Sequence, residues 1–192
     1  MLQRVSATRS EAIALIDQFC REQGDPLIRL AKRISALFTE GGHLLVAASS
    51  SLQPVAQLIV SQFAYRLGFE RPGLPAVCLG SDTVLNARMI GDGQYDQHLV
   101  RHYRTLTSQH QLLMMLTDGY DSAALKVLRD EVLENEQPVA LLSYDSGKDQ
   151  LSSSNVDFCL NLACDSAPRR IELMQFVGHL LCELVEKELF DR

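Results

Sequence analysis

Five short apolar runs alternate in this chain with longer stretches of helical periodicity, at 43–48, 75–79, 111–117, 138–143 and 156–162. Runs such as Leu112-Leu113-Met114-Met115-Leu116 show no polar alternation, so a strand built from them must be buried on both faces. Buried strands separated by helices predict a parallel sheet covered on both sides, an α/β three-layer sandwich. Helices are expected at 55–67, 121–135 and about 168–190, with one or two more within 83–105. In open parallel sheets, ligands sit at the carboxyl ends of the strands, near helix N-termini.

Two helices are expected upstream. Residues 7–22 carry Ile13, Leu15, Ile16, Phe19 and Cys20 on one stripe, ended by Gln23-Gly24-Asp25-Pro26. A second runs from about 26 to 38, with Leu27, Leu30, Ala31, Ile34, Leu37 and Phe38 at helical spacing, and stops at Gly41-Gly42. They either cover the sheet or pair with another subunit. Residues 1–40 are read as a helical segment of the same domain, and 41–192 as the α/β domain proper. A chain of 192 residues suits one domain with a sizeable core.

Charge narrows the partners. A net charge of -6 argues against a nucleic-acid surface, which needs clustered Lys and Arg. No apolar run is long enough to span a membrane, and Met1 to Ser6 open no signal-peptide block, so a cytoplasmic location is expected. The five cysteines form no CxxC pair, and Cys78, Cys159 and Cys182 lie in apolar runs, so buried reduced thiols are expected. No metal or cofactor is predicted, and neither GxSxG nor GxxxxGK[ST] occurs.

Two loops could bind an anion. Ala48-Ser49-Ser50-Ser51-Leu52 follows the first run, and Thr117-Asp118-Gly119-Tyr120-Asp121-Ser122 follows the third. The serines could instead cap the next helix, and Asp121 could cap with Asp118 in a turn. A carboxylate about 4 Å from a phosphate costs on the order of 4 kcal/mol at an effective dielectric of about 20. On the last helix Glu172, Gln175, His179, Glu183 and Glu186 share one face, read as solvated or cleft-lining. His98, Arg101, His102 and Arg104 make a small basic face, read as solvated.

Three stretches carry a family resemblance: Glu70-Arg71-Pro72-Gly73-Leu74-Pro75-Ala76; Gly80-Ser81-Asp82-Thr83-Val84 with Asp92 beyond it; and residues 180–190, ending in Leu189-Phe190. With them the chain resembles the SIS (sugar isomerase) domain family. It is most similar to the phosphoheptose isomerases and, closest of all, to their non-catalytic DnaA initiator-associating cousins. The resemblance implies a single SIS domain with a five-stranded, mainly parallel sheet and N-terminal helices for oligomerisation.

The departures from that family are informative. Its first loop, Gly-Asn-Gly-Gly-Ser, is replaced by Ser49, Ser50, Ser51 and Leu52, leaving hydroxyls but no glycine to bring the backbone onto a phosphate. The following helix should carry a His and a Glu, where Leu58 and Gln62 stand. Neither can hold a metal or move a proton. In the second loop only Ser122 is unchanged. Ser49, Ser50, Ser51 and Ser122 are therefore weak ligand candidates, and Glu172 and His179 a remnant of the active-site face.

The resemblance implies a non-catalytic homotetramer that binds DnaA and promotes chromosomal replication initiation, with Leu189 and Phe190 contributing to that contact. Phe190 could equally cover its own subunit. The alternatives are a phosphoheptose isomerase acting on sedoheptulose 7-phosphate, or a regulator that binds a phosphorylated sugar.

Overall fold

A computed structural model describes residues 1–106, 110–118, 123–144, 151 and 156–191. Five strands, β1 (His43–Ala48), β2 (Ala76–Cys78), β3 (Gln111–Thr117), β4 (Val139–Ser143) and β5 (Phe158–Asn161), form one sheet in the order β2-β1-β3-β4-β5. Every pairing is parallel, with Leu45 opposite Val77 and Leu113, and Leu142 opposite Leu116 and Leu160. The helices are α1 (Leu2–Thr39), α2 (Gln53–Ala64), α3 (Thr83–Gly91), α4 (His98–Thr105), α5 (Ala123–Glu134) and α6 (Ala167–Phe190).

Strand periodicity sorts the core into two layers. Leu44, Val46, Leu112, Met114, Leu116, Ala140 and Leu142 face α1, α2 and α6. Their neighbours Leu45, Ala47, Leu113, Met115, Val139 and Leu141 face α4 and α5. Because both faces are covered, the strands carry no polar alternation. At Gly178 the backbones of α6 and α2 approach closely: a Cβ there would lie 2.5 Å from Ile59 Cδ1.

The two predicted leading helices are one. Helix α1 runs unbroken for 38 residues through Pro26. An interior proline forfeits one backbone hydrogen bond and costs about 3 kcal/mol. Here the apolar stripe stays in phase across it, burying Phe19, Leu27, Leu30, Ile34 and Leu37 on the same side. Gln23 completes the stripe, its Oε1 accepting from Asn161 N at 3.3 Å. Ile16, Phe19, Ile34 and Phe38 are used within the subunit, whereas Leu2, Val5 and Ile13 remain exposed.

Cys159 departs from expectation: it is exposed on the edge strand β5, while Cys164 joins Cys78 and Cys182 in burial. Burial pushes the Cys78 thiol up to about 11 and the Cys182 thiol up to about 12.

Candidate functional site

Strand order reverses between β1 and β3, so the crevice between their carboxyl ends is the switch point where such sheets place ligands. The loops predicted to grip an anion leave the sheet there. Ser49 N donates to Leu116 O at 2.9 Å, extending the ladder past β1. A single 3-10 turn, Ser50–Leu52, then leads into α2, and Leu52 is buried in the core.

The serines do not cap α2; neither that helix nor the 3-10 turn has a side-chain cap. Two of them bind Asp118 instead. Ser51 Oγ donates to Asp118 Oδ2 at 2.6 Å, and Asp118 N donates to Ser49 Oγ at 3.2 Å. The Asp118 carboxylate therefore lies between the two loops and engages the Ser51 hydroxyl, while the Asp118 backbone N–H engages that of Ser49. Asp118 ties the second loop to the first rather than merely turning the chain. Ser122 and Asp121 lie outside the described residues.

A cation that the sequence reading missed sits beside this tie. Arg170 Nη1 donates to Asp118 O at 3.3 Å and its Nε to Cys164 O at 2.7 Å, with the guanidinium 5.4 Å from the Tyr144 ring centroid. Tyr144 OH donates to Arg170 O at 2.5 Å. Burial, more than the neighbouring Cys164 and Asp118, pushes the Tyr144 phenol up, so it stays protonated. The clue was Arg169-Arg170 in the first turn of α6, where the helix dipole disfavours cations and a specific acceptor must compensate.

The remaining candidates are dispersed. Leu58 is exposed, and Gln62 is buried with its Oε1 accepting no hydrogen bond among the described residues. Glu172 pairs with Arg169, and His179 Nε2 shares a hydrogen bond with Gln175 Nε2 at 2.6 Å. Among the described residues, no cluster of three or more His, Cys, Asp or Glu side chains comes together to hold a metal.

Glu186 is not on a solvated face. It accepts from Arg71 Nε at 2.6 Å and from Leu67 N at 3.1 Å, and both charged side chains are buried. Arg71 also donates to the carbonyls of Gln62 and Phe63. Leu189 and Phe190 are half-buried, and Phe190 meets Phe69 edge-on with centroids 5.7 Å apart. The supposed basic face is likewise divided: His98 is buried against Tyr95, and Arg104 forms a bidentate pair with Glu131.

Sheet order, helical layers and switch-point loops define an SIS-like α/β protein. No family model matches the chain. It superposes on a phosphoheptose isomerase from Francisella tularensis with a TM-score of 0.87, at 22% identity, covering 97% of this chain and 98% of that one. In sequence it is 25% identical over 189 residues to the phosphoheptose isomerase of Thermodesulfovibrio yellowstonii, covering 98% of this chain and 92% of the relative. It is also 25% identical over 191 residues to the DnaA initiator-associating protein DiaA of Klebsiella pneumoniae, covering 99% and 97%. The chain thus has an SIS-like fold and is similar in sequence to both groups, no more to the second than to the first, contrary to the sequence expectation. Among the described residues, no helix is long and apolar enough to cross a membrane.

Proposed function

We propose that this protein is a non-catalytic SIS-domain scaffold of the cytoplasm. It assembles as a homo-oligomer, a tetramer, and binds DnaA to promote initiation of chromosomal replication. The observation that supports this reading is the Ser51–Asp118 hydrogen bond, which fills the switch point with a carboxylate. A phosphate entering there would meet like charge, and the Ser51 hydroxyl proton is already engaged. The side chains at Leu58 and Gln62 offer no base for moving a proton next to a carbonyl. Similarity to a DnaA initiator-associating protein over nearly the whole chain supports DnaA as the partner. Several weak sites on one oligomer raise local partner concentration, and avidity can exceed single-site affinity by roughly 10²–10⁴.

A second reading, an isomerase or regulator that binds a phosphorylated heptose, is favoured by Arg170, whose guanidinium stands beside the Asp118 loop. Two assays on the same preparation separate them. Capture of purified DnaA without turnover of sedoheptulose 7-phosphate, with or without zinc, is expected. Turnover at enzyme-like rates together with failed capture would replace the scaffold by the isomerase.

A further inference from the structure

The segment after β2 is held more lightly than the rest of the sheet's surroundings. The chain turns at Gly80, Ser81 and Asp82 and enters α3, which buries only Met89 among its nine residues. Thr83, Val84, Ala87, Arg88 and Ile90 are exposed, whereas α5 buries Ala124, Leu125, Leu128, Arg129 and Val132. A helix with so few buried contacts belongs to the part of a fold that opens before its core does. Gly80, Asn86 and Ile90 wall a cleft of about 220 Å³ past the ends of β1 and β2, so the position of α3 sets how wide that cleft stands.

Hydrogen bonds show what holds the segment. Asp82 Oδ1 accepts from Leu85 N at 2.9 Å, and Asn86 Nδ2 donates to Gly80 O at 2.7 Å. Both bonds lie within the segment and travel with it. Ser81 Oγ ties its start to Cys78 O at 2.8 Å. Among the described residues, one hydrogen bond joins the segment to α4: Gly80 N donates to His102 Nδ1 at 3.3 Å. Gly80 directs that N–H from φ +75°, a conformation that a side chain would strain.

This bond depends on charge. A neutral imidazole has one acceptor nitrogen, and here it is Nδ1, with the proton on Nε2. The imidazolium donates from both nitrogens and accepts at neither, so protonation sets the Gly80 N–H against a second donor. Burial, the larger influence on His102, opposes its cation, and Asp82 favours it. The other charged groups nearby do not replace the lost acceptor. His98, one turn earlier on α4, donates through Nδ1 to Tyr95 O at 2.5 Å and can do so in either charge state. Glu131 of α5 is bound by Arg104. Arg88 of α3, Asp96 of the 3-10 turn before α4 and Arg101 of α4 itself are exposed.

We propose that residues 80–91 form an acid-released flap: the Gly80–His102 hydrogen bond latches it to α4, and proton uptake by His102 releases it and widens the cleft. Once the flap is open the ring is less buried and its pKa returns toward 6.5, so the open form binds the proton more tightly than the latched one. Acid therefore favours opening, by up to about tenfold per pH unit between 6.5 and the lower value of the latched form. Below that value both forms are protonated and the effect levels off. The flap stands whether or not the protein binds DnaA.

The test is amide hydrogen exchange on the full chain, with protection factors corrected for the pH dependence of intrinsic exchange. The amides of residues 85–91 should lose protection by up to about tenfold per pH unit as pH falls from 6.5, while those of β3 keep theirs. His102→Gln keeps an acceptor for Gly80 N that does not titrate, so in that variant the loss should vanish. An NMR titration of the His102 ring in the unmodified protein adds a reading that needs no variant. Its neutral form should carry the proton on Nε2, and its midpoint should lie below 6.5. Constant protection of residues 85–91 in the unmodified protein would overturn the proposal. So would an equal loss in His102→Gln, an equal loss in β3, or a neutral ring protonated at Nδ1.

Discussion

Two contacts join distant parts of the chain, and they differ in what surrounds them. Arg71 and Glu186 are 115 residues apart, their side chains are only 1% and 5% exposed, and the arginine also satisfies several carbonyls. Ser51 and Asp118 are 67 residues apart and meet in an exposed position past the carboxyl ends of the inner strands β1 and β3. The first ties the end of α6 to the segment between α2 and β2. The second shapes the mouth of the switch point. Burial decides what each is worth. A charge left alone in the interior is expensive, whereas an exposed hydrogen bond trades against water. One contact should govern stability and the other binding.

The largest effect should come from breaking the buried pair. Arg71→Leu leaves Glu186 unpaired and several carbonyls short of a donor, and should cost about 3–5 kcal/mol. Urea denaturation checks this, and a loss of less than about 1 kcal/mol would place the pair with surface ion pairs.

Next comes the chain end beside it. Phe190→Ala removes the edge-on contact with Phe69 and should cost about 2 kcal/mol, less than the 3–5 typical of a fully buried aromatic. Combined with Leu189→Ala, it should also weaken DnaA capture. Weakened capture with the thermal midpoint unchanged would show that the pair serves the partner alone; a lowered midpoint with full capture would show that it serves only the fold.

Asp118→Asn tests the exposed contact. Asparagine keeps an acceptor for Ser51 and removes the charge, so stability should stay within about 0.5 kcal/mol. Affinity for sedoheptulose 7-phosphate, read by calorimetry, should rise about tenfold, or 1.4 kcal/mol. Low-micromolar binding by the unmodified protein would reverse the electrostatic argument.

The smallest effect is the titration of His102. Burial lowers the His102 pKa from 6.5, against a raising contribution from Asp82, and its Nδ1 accepts from Gly80 N at 3.3 Å. With the folded value depressed, the neutral ring's contribution is complete above the unfolded value near 6.5. It is lost as pH falls through the folded value. The thermal midpoint should therefore decline as pH falls from about 6.5 toward the folded value, and less so in His102→Gln. Equal slopes in the two proteins would remove His102 from the account.

Much of the fold was legible before any coordinates. Continuous apolar runs and period-3.6 stripes are local, so the runs marked the strands and the intervening stretches most of the helices. Pro26 misled because a local rule, proline as helix terminator, was outweighed by an apolar stripe whose partner surface comes from α6 and the sheet. Cys159 misled because an apolar run does not reveal which of its residues ends up on an uncovered edge.

The chemistry divides in the same way. The amino-acid sequence by itself determined which groups are present: carboxylates and serines in the loops after the first and third apolar runs, no glycine-rich loop, and Leu58 and Gln62 in the helix that follows the first. Those statements need only residue identities and order. Tertiary structure alone decided that Asp118 accepts from the Ser51 hydroxyl and donates its backbone N–H to Ser49, that Arg170 stands beside it, and that Glu186 is buried against Arg71. Each depends on which residues, up to 115 positions apart, share a few ångströms. Hydrogen bonds and charge pairs act over that range, and sequence separation says almost nothing about it.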